Sequence, residues 1–359
     1  MSKRKFVVFA ALAMLLSLGV TTVGLVAADL YAHSRVERSV GVNRRGYRGP
    51  TIGRKQDGER RVVMLGGSTV FGWDVAWEET IPAVLEGMLH GKDPRTRVIN
   101  LGFIGEGAYA FLPTLQDFSS LDYDVAILYE GYNDLLGDSR PNTDLSRHGS
   151  PVFRATGYFP ILPLVLTEKA KALRFGNVGA AYKAGRGEEQ TVFKPGLADR
   201  TSAAALEAAA KVTASLGRQL DRVAGGTPVF VATGEAGCAS PWVHYCESVY
   251  AATKYALSRG RTVLVVAQPL LKNDRAAVHE SQQQALAGMV SRKFGAEQRV
   301  RYVDLRDAVD LANQELAFDG MHLNLAGNTI IAKALLEPVA AALLGNPEGL
   351  PPPSIHGQP

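Results

Sequence analysis

Polar and apolar positions divide this chain into three kinds of stretch. Phe6 to Ala28 is almost uninterruptedly apolar. Beyond it, short runs rich in β-branched residues (61–66, 97–101, 124–129, 262–267 and 300–305) alternate with longer stretches that read as helices, near 80–90, 245–258, 276–294 and 326–344. The apolar runs predict buried parallel strands, and their alternation with helices predicts a doubly wound α/β sheet. Between Leu135 and about His244 the rhythm breaks. Pro and Gly clusters, an apolar piece at 159–166 and an Ala-rich helix at roughly 202–224, closed by Gly225-Gly226, read as a large insertion and a candidate cap over a substrate. The run PVFVAT at 228–233 is an additional strand, a sixth if it joins the sheet.

Lys3-Arg4-Lys5 precede the long apolar run, which can cross a bilayer as a helix of about 20 residues. It is an anchor or a signal peptide. Val26-Ala27-Ala28 offers a small-residue cleavage site, but the run exceeds the roughly 7 to 15 residues of a signal core, which favours the anchor. The globular part is expected outside the cytoplasm, although Arg35, Arg38, Arg44 and Arg45 blunt the charge bias that sets orientation. Residues 29–60 read as a basic stalk and solvated spacer. Between Arg35 and Arg61 its cations are opposed only by Glu37, Asp57 and Glu59, and Tyr47 is too little aromatic interleaving for a nucleic-acid surface. The Pro-rich tail, 346–359, is expected to fray.

A hydrophobic fraction of 46% and a charged fraction of 21% exclude extensive disorder. Cys238 and Cys246 are a candidate disulfide in an oxidising compartment, and two thiols without further ligands argue against a zinc site.

The chemistry falls at strand ends. Arg61 to Gly72, RVVMLGGSTVFG, delivers Ser68 into a tight turn after the first strand, a place where open α/β sheets bind ligands. Asn100-Leu-Gly-Phe-Ile-Gly105 and Glu130-Gly-Tyr-Asn-Asp134 follow the next two strands, and Asp319-Gly-Met-His322 follows the last. A serine that attacks an ester needs a base, a group that orients the base, and donors for the oxyanion. Ser68 is the candidate nucleophile, His322 the base and Asp319 its orienting carboxylate. The candidate donors are the Ser68 and Gly105 N–H groups and the Asn133 side-chain amide. Each fragment alone is ordinary turn chemistry; their joint occurrence in four separate loops carries the reading. His33, His148 and His244 have no partners at motif spacing. Tyr132 and His279 are candidates for the substrate cleft, whereas Trp73 and Trp77 read as core, with an aromatic wall for a sugar ring as the alternative.

These four blocks resemble those of the SGNH hydrolases, or GDSL-type esterases, from Arg61 to about Leu344. The resemblance implies a flavodoxin-like three-layer α/β/α sandwich with a mainly parallel five-stranded sheet. It also implies a Ser68, His322 and Asp319 triad and a three-part oxyanion hole, with no metal or other cofactor. The hydrolase domain would span 61–345, with the insertion at about 135–243. The chain departs from the usual Gly-Asp-Ser-Leu signature: Gly66-Gly67-Ser68-Thr69 lacks the aspartate and leucine. The expected function is a membrane-tethered serine esterase that removes a short acyl group, such as acetyl, from an envelope carbohydrate or similar small-molecule or glycan ester. An O-acyltransferase using the same serine and a silent tethered binding protein are the alternatives.

Overall fold

The computed structural model describes residues 3–135, 148, 150–185, 193–223 and 233–345. The chain divides into two compact units, 1–46 with 149–227, and 47–148 with 228–359.

The first unit is helical: α1 (Lys3–Val40), α5 (Pro151–Thr156), α6 (Leu162–Phe175), α7 (Val178–Gly185) and α8 (Leu197–Val223). The side chains of Phe6, Phe9 and Leu16 face outward on α1, which is long and apolar enough to cross a membrane. The helix does not stop where the apolar run does. It continues to Val40 and ends at Gly41, whose φ of +79° suits a helix terminus. Asp29 accepts hydrogen bonds from the Tyr158 hydroxyl and the Leu162 N–H, which caps the start of α6. The His33 Nε2 lies 2.5 Å from the Phe159 carbonyl. Helices α5 to α8, which lie within the insertion expected at about 135–243, therefore fall in one unit with the N-terminal helix.

The second unit holds the sheet. β1 (Arg60–Leu65), β2 (Thr96–Asn100), β3 (Val125–Leu128), β4 (Thr262–Ala267) and β5 (Val300–Asp304) are all parallel, in the order β2-β1-β3-β4-β5. Val62, Val63, Met64 and Leu65 are at most 1% exposed, so both faces of β1 are covered. Each such side chain contributes roughly 1.5–3 kcal/mol by burial. α3 (Ile81–His90) packs on β2 and on α11 (Leu325–Leu344), which also touches β3 and β4. α4 (Phe111–Asp117) and α10 (Ala276–Phe294) pack on α9 (Val243–Ser258), and α9 and α10 both touch β4. Thr80 caps α3 by accepting from the Ala83 N–H, as its side chain and the following Pro82 predict. α11 is apolar enough to pass for a membrane span, but Ile331, Ala332, Leu335 and Val339 are buried in the core. The strand expected at 228–233, the helix-closing Gly225-Gly226 and the Pro-rich tail lie outside the described residues, apart from Thr233.

The basic stalk expected at 29–60 is not a solvated spacer. From Tyr47 on it belongs to the sheet-bearing unit, where Arg48 and the adjoining Arg61 of β1 are buried and donate to backbone carbonyls. Arg48 is 6% exposed and Arg61 1%. Arg61 donates to the Leu121 and Gly53 carbonyls and pairs with Glu59.

Candidate active site

β1 ends at Leu65 and the chain turns at once. A Cβ at Gly66 would collide with the Tyr129 carbonyl and the Val70 side chain, so only glycine lets the turn pack this tightly. Ser68 opens the short helix α2 (Ser68–Phe71), which leaves its N–H without a partner inside the helix. Arg48 holds the far side of this turn. Its guanidinium donates to the carbonyls of Phe71 (2.6 Å), Gly72 (2.5 Å) and Val75 (2.5 Å). Burial lowers its pKa to about 10, with the nearby Glu78 opposing the shift.

The DGMH block forms a single turn just before α11. Asp319 Oδ1 accepts from the N–H groups of His322 (2.9 Å) and Met321 (3.2 Å), which folds the turn around the carboxylate. Its Oδ2 lies 2.8 Å from His322 Nδ1. That partner places the imidazole proton on Nδ1 and leaves Nε2 to accept from Ser68 Oγ, 2.7 Å away. Burial alone would raise the Asp319 pKa. The hydrogen bond and charge of His322, with the two backbone donors, outweigh it and hold the carboxyl at about 2.

The oxyanion candidates sit opposite. Asn133 Nδ2 donates to the Glu106 carbonyl at 2.9 Å, which fixes the amide plane and leaves its second hydrogen for another acceptor. Gly105, with φ +80°, lies in the loop after β2, and the Phe103 N–H of that loop donates to the Gly66 carbonyl at 3.0 Å. The loops carrying Ser68, Gly105 and Asn133 are thus cross-linked, one pair by a backbone hydrogen bond and the other by the Asn133 side chain. Ser68, His322 and Asp319 are in direct contact.

Two expectations are corrected. Tyr132 does not line a cleft: it is 5% exposed, and its hydroxyl donates to the Pro269 carbonyl at 2.6 Å. His279 is fully buried and its ring stands 4.9 Å from that of Tyr132. It accepts from the Leu271 N–H at Nδ1, and burial lowers its pKa to about 4, so it is a neutral core residue. Both side chains point under the 130–133 loop because Gln268 and Gln282, also buried, tie that loop to the core.

Cys238 and Cys246 are disulfide-bonded. Trp73 is half-buried, with its ring 6.2 Å from that of His322, so it borders the site. Trp77 instead lines a cleft of about 890 Å³ along β2, together with Tyr47, Glu86, His90 and Arg97; Ser68 and His322 are not part of it.

Sequence reasoning gave no structural role to three residues. His148 Nδ1 is 2.6 Å from Asp117 Oδ2, and its Nε2 is 3.1 Å from Thr114 Oγ1 and 3.4 Å from Glu106 Oε1. Arg48 gave no signal beyond charge. Glu130 stood inside the EGYND block, and its buried carboxylate accepts from the N–H groups of Gly67, Gly131 and Asn133.

Solved structures to which this chain is similar include a variant of Axe2, an acetyl xylan esterase from Geobacillus stearothermophilus. It is 12% identical with a TM-score of 0.41, and the match covers 77% of this chain and 93% of that one. A member of the lipolytic protein G-D-S-L family from Veillonella parvula DSM 2008 is also 12% identical, with a TM-score of 0.40 over 77% of this chain and 97% of that one. TesA matches at 12% identity and a TM-score of 0.42, over 79% and 99%. Among curated proteins none matches the sequence. Residues 64–330, which contain the Ser68 turn, the loops of Gly105 and Asn133 and the DGMH turn, match the GDSL-like Lipase/Acylhydrolase family, and the chain belongs to that family of ester-bond hydrolases.

Proposed function

We propose that this protein is a serine esterase that removes a short acyl group, acetyl in the first instance, from a carbohydrate or similar envelope ester through an acyl-enzyme. The observation that carries the reading is the continuous line from Asp319 Oδ2 to His322 Nδ1 and from His322 Nε2 to Ser68 Oγ, at 2.8 and 2.7 Å. Ser68 Oγ attacks the ester carbonyl as its proton passes to His322 Nε2, and Asp319 stabilises the imidazolium. The N–H groups of Ser68 and Gly105 and the amide of Asn133 receive the oxyanion. Collapse expels the alkoxide, which takes the proton back from Nε2. Water, deprotonated by the same nitrogen, then attacks the acyl-enzyme and frees the acid.

The half-buried Trp73 beside His322 supports a flat alcohol such as a sugar ring. A location outside the cytoplasm, tethered by α1, is supported by the Cys238–Cys246 disulfide and by the length of the apolar helix.

The test is hydrolysis of p-nitrophenyl acetate and of an acetylated oligosaccharide by the wild type and by Ser68→Ala, with fluorophosphonate labelling of both. Turnover and labelling that depend on Ser68 support the reading; equal activity in the variant refutes it. Including an unacetylated glycan acceptor separates hydrolysis from transfer, since only transfer yields a newly acylated sugar.

A further inference from the structure

We propose that Glu130 is a positioning residue of this site: its single buried carboxylate holds the nucleophile turn and the oxyanion loop in one frame. Resting on the reading above, this assigns a role to a group outside the triad and its oxyanion donors.

Glu130 is 2% exposed and leaves the end of β3, the strand beside β1. Its Oε2 accepts from the N–H of Gly67, the residue before Ser68, at 2.5 Å. Its Oε1 accepts from the N–H groups of Gly131 at 2.9 Å and Asn133 at 3.0 Å. One oxygen therefore holds the peptide that delivers the nucleophile, and the other holds the residue whose amide faces the oxyanion. The backbone of Glu130 is fixed in turn, because the buried Tyr245 hydroxyl donates to its carbonyl at 2.8 Å.

Glycine at 67 makes this arrangement possible. A Cβ there would fall on Asn133 Nδ2 and 2.5 Å from Glu130 Oε2. In this chain the space beside the nucleophile, where the usual signature carries an aspartate, is occupied by a carboxylate from the neighbouring strand. Only a carboxylate meets the demand, since it accepts at both oxygens, whereas an amide of the same shape presents donors at one end. Oxyanion donors act only when held to within a few tenths of an ångström, so a slip between the two loops weakens the transition state more than substrate binding.

The experiment compares wild type, Glu130→Gln, Glu130→Asp, Asn133→Ala and the Glu130→Gln/Asn133→Ala double variant on p-nitrophenyl acetate, with unfolding temperatures measured alongside. Glu130→Gln is expected to lower kcat roughly 10- to 100-fold while KM stays within about twofold, as loss of a transition-state contact requires. In the Asn133→Ala background the same substitution is expected to cost less than about threefold, because its effect passes through Asn133. Glu130→Asp keeps the charge but reaches one loop only, and should fall between. The proposal is overturned if Glu130→Gln keeps kcat within twofold, if its loss is equal in both backgrounds, or if neither Glu130 variant folds, which would make the carboxylate a requirement of the fold. Failure of the esterase reading is distinguishable, because Ser68→Ala would then turn over as fast as the wild type.

Discussion

His322 Nε2 stands 2.7 Å from Ser68 Oγ across 254 residues of sequence. Ser68 arrives at the end of a central strand, and His322 arrives in the turn that starts α11, a helix packed on α3, β3 and β4. The sheet thereby sets the distance between two side chains whose local sequences contain no reference to each other. His322 is useful as a base only while its proton stays on Nδ1. Asp319→Asn keeps an acceptor for the backbone donors but turns an NH2 group toward Nδ1, which favours the wrong tautomer. We expect kcat to fall by about 10³- to 10⁴-fold with little change in unfolding temperature, measured by esterase kinetics and calorimetry.

The same carboxylate makes stability pH-dependent. The folded Asp319 pKa, at about 2, lies below its ordinary value of 3.8, so its contribution is complete above pH 4 and is lost as pH falls toward 2. The side chain is one-third exposed, and with that screening the contribution is on the order of 1 kcal/mol. Urea titrations between pH 5 and pH 2 should show the decline in the wild type and a shallower one in Asp319→Asn.

Asp134 acts in the opposite sense. Burial raises its pKa to about 7 against the pull of the Ala108 N–H. The folded state holds a proton there that the unfolded chain releases, so stability should fall as pH rises from about 4 to 7. Asp134→Asn retains an acceptor for the Ala108 N–H and removes one buried charge. Its unfolding temperature is expected to exceed that of the wild type at pH 8, by an amount equivalent to about 2 kcal/mol, and to match it near pH 4.

Arg48 holds the turn after the nucleophile through three backbone carbonyls. Arg48→Ala strands those acceptors and should destabilise the protein by about 3 kcal/mol. Lysine cannot reproduce the planar fork, so Arg48→Lys should recover less than half of the loss, read from denaturant midpoints.

Restoring the family signature should be harmful here. Gly67→Asp forces a side chain into space held by Asn133 and Glu130, and we expect esterase activity at least about 100-fold below the wild type together with a lower unfolding temperature. Activity at the wild-type level would show that the two loops can separate freely.

Much of the framework was legible in the chain itself. Runs rich in β-branched residues marked β1 to β5 to within one or two residues, most plainly β1, β3 and β4, whose positions are buried on both faces of the parallel sheet. The four blocks at strand ends marked Ser68, Asp319, His322, Gly105 and Asn133 as candidates, and the structure brings Ser68, His322 and Asp319 into one hydrogen-bonded line. What the sequence left open depended on who meets whom. Tyr132 and His279 looked available and are buried under the 130–133 loop; Arg48 looked solvated and is folded against the nucleophile turn. Glu130 reads as one more turn residue until the parallel pairing of β1 with β3 brings Gly67 over its carboxylate. Period and composition report which side of an element faces the core, a property of neighbours in sequence. Which buried polar groups satisfy one another is a property of neighbours in space, and only the assembled sheet decides it.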